Sequence, residues 1–397
     1  MKITRLLAAG AMSAIAALAL AACSSGSAGS DAAEASDPFR VVAILPMTGP
    51  LSKQSEVQVN GLKASAKIVN ADGGIGGRDV EVKVLDSKLD PTEAVTLLQE
   101  EINSDTPPDY VWAGATSNEA LAMLPALSSA GILSGSTAAD IKINNPELYP
   151  YHFGMQSANN QNYQAFVDYA KNKGFKKVGF ISANDALGTY NHSAITEMLA
   201  NTGIELVTQS YDTTATDLTA PMDALKAADP DVLFASSYGS GVGYIFDARQ
   251  KLDWDVPVVG DNAVGGSNPA AIVAPEALKG VQLLSPLVSA TAHKDEWLPD
   301  TQKMIDAISA EGDISQIVTQ ASLPYDALQL LALAAKQASA TDADALKGAL
   351  EGLKTPDHVT WTSYPAYGFS PENHFPKIES GYIVFTGATK LVNGQFQ

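Results

Sequence analysis

The feature that most constrains the fold is residues 41–90, where the spacing of apolar side chains changes twice. Residues 41–45 form a short continuous apolar run, which is typical of a strand covered on both faces. Apolar residues then recur every three or four positions across 59–69, which predicts a helix with one buried face. Glycines in 70–74 end this helix, and alternating valines in 80–84 predict a second strand. A strand, a helix and a strand in this order predict a parallel sheet.

The same alternation of strands and helices continues along the chain. An apolar strand at 110–113 precedes a helix at whose start Thr116 and Glu119 fit a capping box. Residues 150–158 show neither a strand period nor a helix period, and a second series of strands and helices follows them. We therefore interpret 150–158 as a crossing between two lobes. The predicted fold class is α/β, with two Rossmann-like lobes built on parallel central sheets.

The first residues have the pattern of a secretory signal. Lys2 and Arg5 precede the apolar run 6–20, which is too short and too rich in alanine for a membrane span. The sequence Leu-Ala-Ala-Cys that ends at Cys23 resembles a bacterial lipobox, so we expect residues 1–22 to be a lipoprotein signal peptide. Cys23, the only cysteine, would then be lipidated and would anchor the chain to the cell membrane. The alternative is an ordinary signal peptide with an incidental thiol.

The composition after the signal excludes some partners. Residues 23–38 are small and polar and are predicted to be a flexible tether. The whole chain has 25 basic and 44 acidic residues, and removal of Lys2 and Arg5 leaves 23 against 44, a net charge of −21. Such a charge argues against nucleic acid and against electrostatic docking on anionic lipid. No later apolar run has membrane length.

No motif for catalysis, metal or cofactor binding is found in the sequence. The glycine-rich residues 73–77 follow a helix and open a strand, whereas a phosphate-binding loop follows a strand and opens a helix. No Gly-x-Ser-x-Gly elbow is present. The histidines lack metal-binding spacing, and no second cysteine could assist them: His152, His192, His293, His358 and His374. We expect neither a metal nor a cofactor, and no enzyme activity.

Several sequence pieces, in order, carry a family resemblance. They are Thr-Gly-Pro at 48–50, Asn-Ala-Asp-Gly-Gly-Ile-Gly-Gly-Arg at 70–78, Pro-Tyr-Asp-Ala-Leu at 324–328 and the glycine, phenylalanine and histidine of 367–374. Over about residues 41–392 the chain resembles the type I solute-binding proteins of ABC importers, in the branch that binds leucine, isoleucine and valine, amides or urea. The resemblance implies capture of a small-molecule ligand and delivery to ABC permease and ATPase subunits.

The resemblance also implies a domain organisation. Two lobes would be joined by three hinge crossings, with residues 39–154 and 287–366 in lobe 1 and residues 155–286 and 367–397 in lobe 2. The chain would work outside the cytoplasm, attached to the membrane through its lipid anchor. A sensory ligand-binding module is the alternative function, and the sequence does not separate the two.

Candidate ligand-binding residues follow the predicted strands of both lobes, where open α/β sheets bind ligands. In the first lobe these are Ser117, Ser136 and Thr137. From the residues alone, helix capping competes with ligand binding at these positions. The resemblance implies that serine and threonine at matching places hold a ligand carboxylate.

In the second lobe, Tyr238 offers an apolar wall with a polar tip, and Asp261 or Asn262 would pair with the ligand. Asp261 would match the ammonium group of an amino acid, whereas Asn262 would favour an amide, a urea-like compound or a neutral acid. Gln54 and Leu187 occupy places where the family commonly has aromatic residues. We expect a small polar organic solute, with an amino acid preferred.

Overall fold

The computed structural model describes residues 37–157, 159–353, 364, 367–377 and 382–397. The predicted signal peptide, Cys23 and the tether up to Ser36 lie outside the described residues. Within the described ranges, none of the helices combines the length and the apolar composition that a bilayer crossing requires.

The first half of the chain builds a five-stranded parallel sheet. Its elements in chain order are β1 (Phe39–Leu45), α1 (Ser52–Ala71), β2 (Val80–Asp86), α2 (Pro91–Ile102), β3 (Tyr110–Ala113), α3 (Ser117–Ala130), β4 (Leu133–Ser136) and β5 (His152–Gly154). The strands lie in the order β2-β1-β3-β4-β5, so the direction of the connections reverses beside β1. In sheets of this kind, ligands bind outside the carboxyl ends of the strands near such a reversal.

Both faces of this sheet are covered. Val41 and Ala43 of β1 pack in one apolar core, and Val42 and Ile44 pack in another on the opposite face. Successive side chains of a strand point to opposite faces, so a continuous apolar run is what two covered faces require.

The second sheet repeats this arrangement. Its elements are α4 (Asn159–Lys173), β6 (Lys177–Ala183), α5 (Ala186–Leu199), β7 (Glu205–Tyr211), α6 (Thr219–Ala227), β8 (Val232–Ser236), α7 (Ser240–Lys251), β9 (Val258–Gly260), α8 (Asn262–Gly266), α9 (Pro269–Ile272) and β10 (Val281–Pro286). The parallel strands lie in the order β7-β6-β8-β9-β10, and an antiparallel strand, β11 (Ile383–Gly387), pairs with β10. The predicted α/β fold with two mainly parallel sheets is confirmed.

Three further helices follow the second sheet and return to the first: α10 (Thr301–Ser309), α11 (Thr319–Ala338) and α12 (Ala343–Gly352). Helix α11 lies directly against α1, where Ser65 Oγ donates a hydrogen bond to the Tyr325 carbonyl at 2.8 Å. A Cβ atom on Gly61 would lie 2.0 Å from the Ala321 carbonyl oxygen, so only glycine allows this approach. We call β1–β5 with α1–α3 and α10–α12 the first lobe, and β6–β11 with α4–α9 the second lobe.

Two details of the predicted lobe boundaries need correction or refinement. Residues 150–158 are not simply a crossing, because His152–Gly154 pairs with β4 as the last strand of the first sheet. Tyr367, Phe369 and Phe375 pack in the cores of the first lobe, although the sequence assigned 367–397 to the second. The three predicted crossings between the lobes stay predictions.

Candidate functional site

A cleft lies between the two lobes, at the carboxyl ends of strands from both sheets. Its free volume is about 60 Å³. Its walls come from segments that follow β1, β3 and β4 in the first lobe and β6, β8 and β9 in the second. Six of the eight predicted ligand-binding residues line it: Gln54, Ser117, Thr137, Leu187, Tyr238 and Asn262.

The amino end of α3 forms one wall of the cleft. Thr116 caps this helix, because its Oγ1 accepts the Glu119 backbone N–H at 3.3 Å, and Thr116 Oγ1 donates to the Glu119 carboxylate at 3.0 Å. The predicted capping box is therefore present. Ser117, the first residue of the helix, has a buried Oγ without a hydrogen-bond partner among the described residues. The hydroxyl and the positive end of the helix dipole together favour a negatively charged ligand group at this wall.

A buried chain of hydrogen bonds lies behind the same wall. The Trp112 indole N–H donates to Gln58 Oε1 at 2.7 Å. Gln58 Nε2 in turn donates to Gln320 Oε1 at 3.1 Å and, more weakly, to Thr137 Oγ1 at 3.4 Å. Gln320 and Thr137 both line the cleft, so the chain joins the core of the first lobe to the ligand-facing surface.

Ser136 does not line the cleft, which corrects the expectation for this residue. Its Oγ lies 3.2 Å from His152 Nε2 and accepts the Ala138 N–H at 3.3 Å. Ser134 Oγ lies 2.9 Å from the other ring nitrogen of His152, since positions 134 and 136 share one face of β4. Burial, together with the neighbouring His374, lowers the pKa of His152 to about 3, so this pair of serines surrounds a neutral imidazole.

The second lobe contributes a tyrosine and a carboxylate. Asp185 caps α5, because its Oδ1 accepts the Gly188 N–H at 2.8 Å, and its Oδ2 accepts the hydroxyl of Tyr238. Burial raises the pKa of Tyr238 well above its usual range, and the charge of Asp185 raises it further, so the phenol stays protonated. Among the described side chains that line the cleft, Asp185 is the only charged one.

Asp261 and Asn262 differ in what they face. Asp261 is fully buried and caps α8, accepting the N–H groups of Ala263 at 3.0 Å and Val264 at 3.1 Å and the Tyr163 hydroxyl at 3.0 Å. Burial raises the pKa of its carboxyl group to about 6. Asn262 lines the cleft, and its Oδ1 is buried without a partner among the described residues. Of the two residues that the sequence offered, Asn262 therefore lines the cleft, and a ligand contact at either position stays a prediction.

The polar residues of the site that the sequence analysis missed include Gln58, Asp185 and Gln320. Asp185 has a recognisable signal, because an aspartate between an apolar strand and a helix is a typical helix cap at the ligand-binding edge. Gln58 also has one, since a polar side chain stands beside Val57 and Val59 on a helix with a buried face. The contact of Gln320 with Gln58 spans 262 positions and has no local signal.

In the part of the chain that the structure describes, no group of three or more His, Cys, Asp or Glu side chains could hold a metal ion. The side chains that line the cleft include hydroxyl, amide and carboxylate groups. These groups can hydrogen-bond to an organic solute and can neutralise one positive charge.

Comparison with known proteins gives a consistent result along most of the chain. The sequence profile of the family described as periplasmic binding protein matches residues 38–385. A protein of Pseudomonas aeruginosa named leucine-, isoleucine-, valine-, threonine- and alanine-binding protein is 22% identical over 322 residues, which cover 80% of this chain and 83% of the relative.

Two solved structures show the same fold. A type 1 periplasmic binding protein from Bordetella pertussis superposes with a TM-score of 0.78 and 23% identity, covering 88% of this chain and 96% of the other. The substrate-binding protein of a branched-chain amino acid transporter from Streptococcus pneumoniae, solved with isoleucine, gives a TM-score of 0.72 and 21% identity, with 88% and 100% covered.

Proposed function

The chain belongs to the family of periplasmic binding proteins, and we propose that it captures an amino acid between its two lobes and delivers it to an ABC permease with its ATPase. One observation carries the choice of ligand. The buried, unpartnered Ser117 Oγ at the start of α3 belongs to one lobe, and Asp185, the only charged side chain among the described cleft residues, belongs to the other.

This arrangement matches a zwitterion. The carboxylate of an amino acid would accept hydrogen bonds from Ser117, Thr137 and those first-turn N–H groups of α3 that Thr116 does not cap. Its ammonium group would lie near Asp185. A cleft that closes over the ligand removes water, so each charged group of the ligand needs such a partner.

The apolar part of the cleft limits the side chain of the ligand. Leu51 and Leu187 are its larger aliphatic residues, and the remaining apolar lining consists of the Tyr238 ring, alanines and Gly266. Such a wall suits a small or medium-sized side chain. The names of the Pseudomonas aeruginosa relative and of the Streptococcus pneumoniae structure, which was solved with isoleucine, support an amino acid of this size.

A neutral amide or a urea-like compound is a second candidate ligand, and one observation favours it. Asn262 presents an unpartnered amide oxygen to the cleft, whereas the carboxylate of Asp261 is turned to the α8 cap. An amide oxygen accepts a hydrogen bond from the neutral N–H2 group of an amide or urea without needing a charged partner. The role of Asp185 separates the two candidates, because an amide would not need a carboxylate.

We expect ligand binding without turnover, at the outer face of the cell membrane. The lipobox-like residues before Cys23 support lipidation of this thiol and anchoring through two acyl chains. Cys23→Ala should release the protein into the medium or leave it unprocessed. A variant that stays processed and membrane-bound would contradict the anchor.

The ligand assignment is tested by thermal unfolding and calorimetry of the purified protein with amino acids, their amides and urea. Amino acids should raise the melting temperature, because a ligand that binds only the folded state stabilises it. Asp185→Asn keeps the helix cap but removes the charge, so it should weaken amino acid binding at least tenfold, about 1.4 kcal/mol. Asp223→Asn, an exposed carboxylate of the same lobe, is the matched control.

Stabilisation by amides or urea alone would overturn the amino acid assignment. Unchanged amino acid affinity in Asp185→Asn would overturn the role of the carboxylate. Chemical conversion of any of these compounds by the protein would contradict the expectation of binding without turnover.

A further inference from the structure

The hydrogen-bond chain behind the first-lobe wall has a fixed direction. It starts at the Trp112 indole, which can donate a hydrogen bond but cannot accept one. Trp112 is completely buried, and its N–H lies 2.7 Å from the amide oxygen of Gln58. This contact identifies the atom beside the indole as the oxygen, because the N–H2 group in its place would leave two donors facing each other.

The orientation of Gln58 then determines the orientation of its neighbours. Gln58 is also fully buried, and its oxygen is occupied by Trp112. Its N–H2 group has two hydrogens, and two acceptors lie within reach: Gln320 Oε1 at 3.1 Å and Thr137 Oγ1 at 3.4 Å. Reversal of the Gln58 amide would turn its N–H2 group toward the Trp112 N–H, deep in the core, where two facing donors would be costly.

The chain ends in hydrogen-bond donors at the cleft. Since Gln320 Oε1 accepts from Gln58, the N–H2 group of Gln320 is the end left for the ligand. A Cβ atom on Gly266, on the opposite wall, would lie 3.2 Å from Gln320 Nε2, so the glycine leaves this donor uncovered. Thr137 Oγ1 also accepts from Gln58, which leaves its hydroxyl hydrogen free to point into the cleft.

From this geometry we infer that Trp112 and Gln58 are positioning residues, which fix Gln320 and Thr137 as hydrogen-bond donors to the cleft. Through these two donors they set how strongly the protein prefers a carboxylate to the corresponding carboxamide. A carboxylate has acceptor sites only, so it satisfies the donors of Gln320, Thr137 and α3 at once. A carboxamide would place its own N–H2 group against at least one of them. The inference rests on the proposed solute-binding function and deepens it, because it assigns specificity to two buried residues that do not line the cleft.

The experiment compares carboxylate and carboxamide pairs on the purified protein by calorimetry. The probes are L-alanine, L-valine, L-leucine and L-threonine with their own amides, and two acids without an amino group, propanoate and benzoate, with propanamide and benzamide. Wild-type protein should bind each carboxylate that fits at least about tenfold more tightly than its amide.

Gln58→Met keeps the length of the side chain but removes both ends of the amide, so it interrupts the chain. Gln320 can then turn either end of its amide to the cleft, so most of the about tenfold preference for carboxylate should be lost. Trp112→Phe keeps an aromatic ring but removes the indole donor, and it should lower the same ratio if Gln58→Met does not fold. Gln302→Met, on the exposed face of α10, is the matched control and should keep the wild-type ratio.

The ratio of the two affinities separates this inference from a purely structural role, since a loosened core would weaken both members of a pair equally. Amides that bind as well as carboxylates, an unchanged ratio in the folded variants, or no binding of any carboxylate would overturn the inference. Tight binding of leucinamide but not of leucine would contradict the donor role of the first lobe, whereas it would still agree with the capture of a solute. Binding of benzoate without any amino acid would support the donor role of the first lobe and contradict the amino acid assignment.

Discussion

In the first lobe the strands run β2-β1-β3-β4-β5, and in the second the equivalent strands run β7-β6-β8-β9-β10, so corresponding sheet edges meet at the cleft. The groups at these edges differ. The first lobe presents the neutral side chains of Ser117, Thr137 and Gln320, backed by Trp112 through a buried amide. The second presents the carboxylate of Asp185 beside a phenol.

The two lobes also differ in the titratable side chains that are buried next to the cleft residues. In the first lobe, burial keeps His152 neutral by lowering its pKa to about 3. In the second lobe, burial raises the pKa of Asp261 to about 6 and so favours its neutral form near that pH. One architecture therefore holds a buried base in one lobe and a buried acid in the other. The comparison teaches that strand order sets where ligand groups lie, whereas single side chains set their charge.

The largest expected effect concerns the buried base of the first lobe. The pKa of His152 is about 3 in the folded protein and about 6.5 in a free histidine, so the unfolded chain binds a proton first as the pH falls. The contribution of the neutral His152 to the free energy of unfolding is therefore present in full above pH 6.5. It is lost as the pH falls toward 3, by at most roughly 5 kcal/mol.

His152→Gln keeps polar atoms near Ser134 and Ser136 but does not titrate. Urea unfolding at stepped pH should show a shallower loss of stability in this variant than in the wild type below pH 6.5. His192→Gln, at an exposed position, is the control. Parallel curves for wild type and His152→Gln would contradict the buried neutral imidazole.

The buried acid of the second lobe should act in the opposite direction. The folded-state pKa of Asp261 is raised from 3.8 to about 6, so its contribution is present in full below pH 3.8 and is lost as the pH rises through 6. The shift corresponds to roughly 3 kcal/mol. Asp261→Asn retains an oxygen for the α8 cap and should be more stable than wild type above pH 6, with little gain at pH 4.

The measurement is again urea unfolding at stepped pH, now with Asp223→Asn as the exposed control. A stability gain of Asp261→Asn over wild type that grows toward low pH would contradict the predicted direction of the pH dependence. In that case the lobes would not differ in the way the buried groups indicate.

These two groups also show how far the sequence alone could lead. The α/β fold and the resemblance to type I solute-binding proteins are confirmed. They could be predicted because apolar periods and helix stops are patterns over short stretches of sequence. The segments that reach the cleft were predictable as well, since each follows a strand of a parallel sheet.

The individual side chains were harder to predict. Asp261 and Asn262 are adjacent, and the turn into α8 directs the first to the helix cap and the second to the cleft. Ser136 faces His152 because β5 pairs with β4, although residues 150–158 carry no strand period. Gln58 meets Gln320 only when α11 returns to α1. Long-range packing decided each of these cases.

The next effect in size concerns the first-lobe wall. Ser117→Ala removes a buried hydroxyl that has no partner among the described residues, so folding should be little affected. Binding of an amino acid should weaken by about 1–2 kcal/mol, roughly five- to thirty-fold, because one hydrogen bond to a charged group is lost. Ser129→Ala, exposed on the same helix, is the control in the calorimetric titration. Equal affinities of the two variants would remove Ser117 from the site.

The smallest expected effect concerns the second-lobe phenol. Tyr238→Phe keeps the ring at the cleft but removes the hydroxyl that donates to Asp185. The carboxylate stays fixed through the Gly188 N–H, so amino acid affinity should fall by about 1 kcal/mol or less, at most fivefold. Tyr211→Phe, which loses a 2.6 Å contact with Ser237, is the matched control and should change affinity by less than about twofold. If Tyr238→Phe lost more amino acid affinity than Ser117→Ala, the second-lobe wall would contribute more to binding than the first-lobe wall. The phenol would then bind the ligand directly, because orienting a carboxylate that a helix cap already holds cannot account for the larger effect.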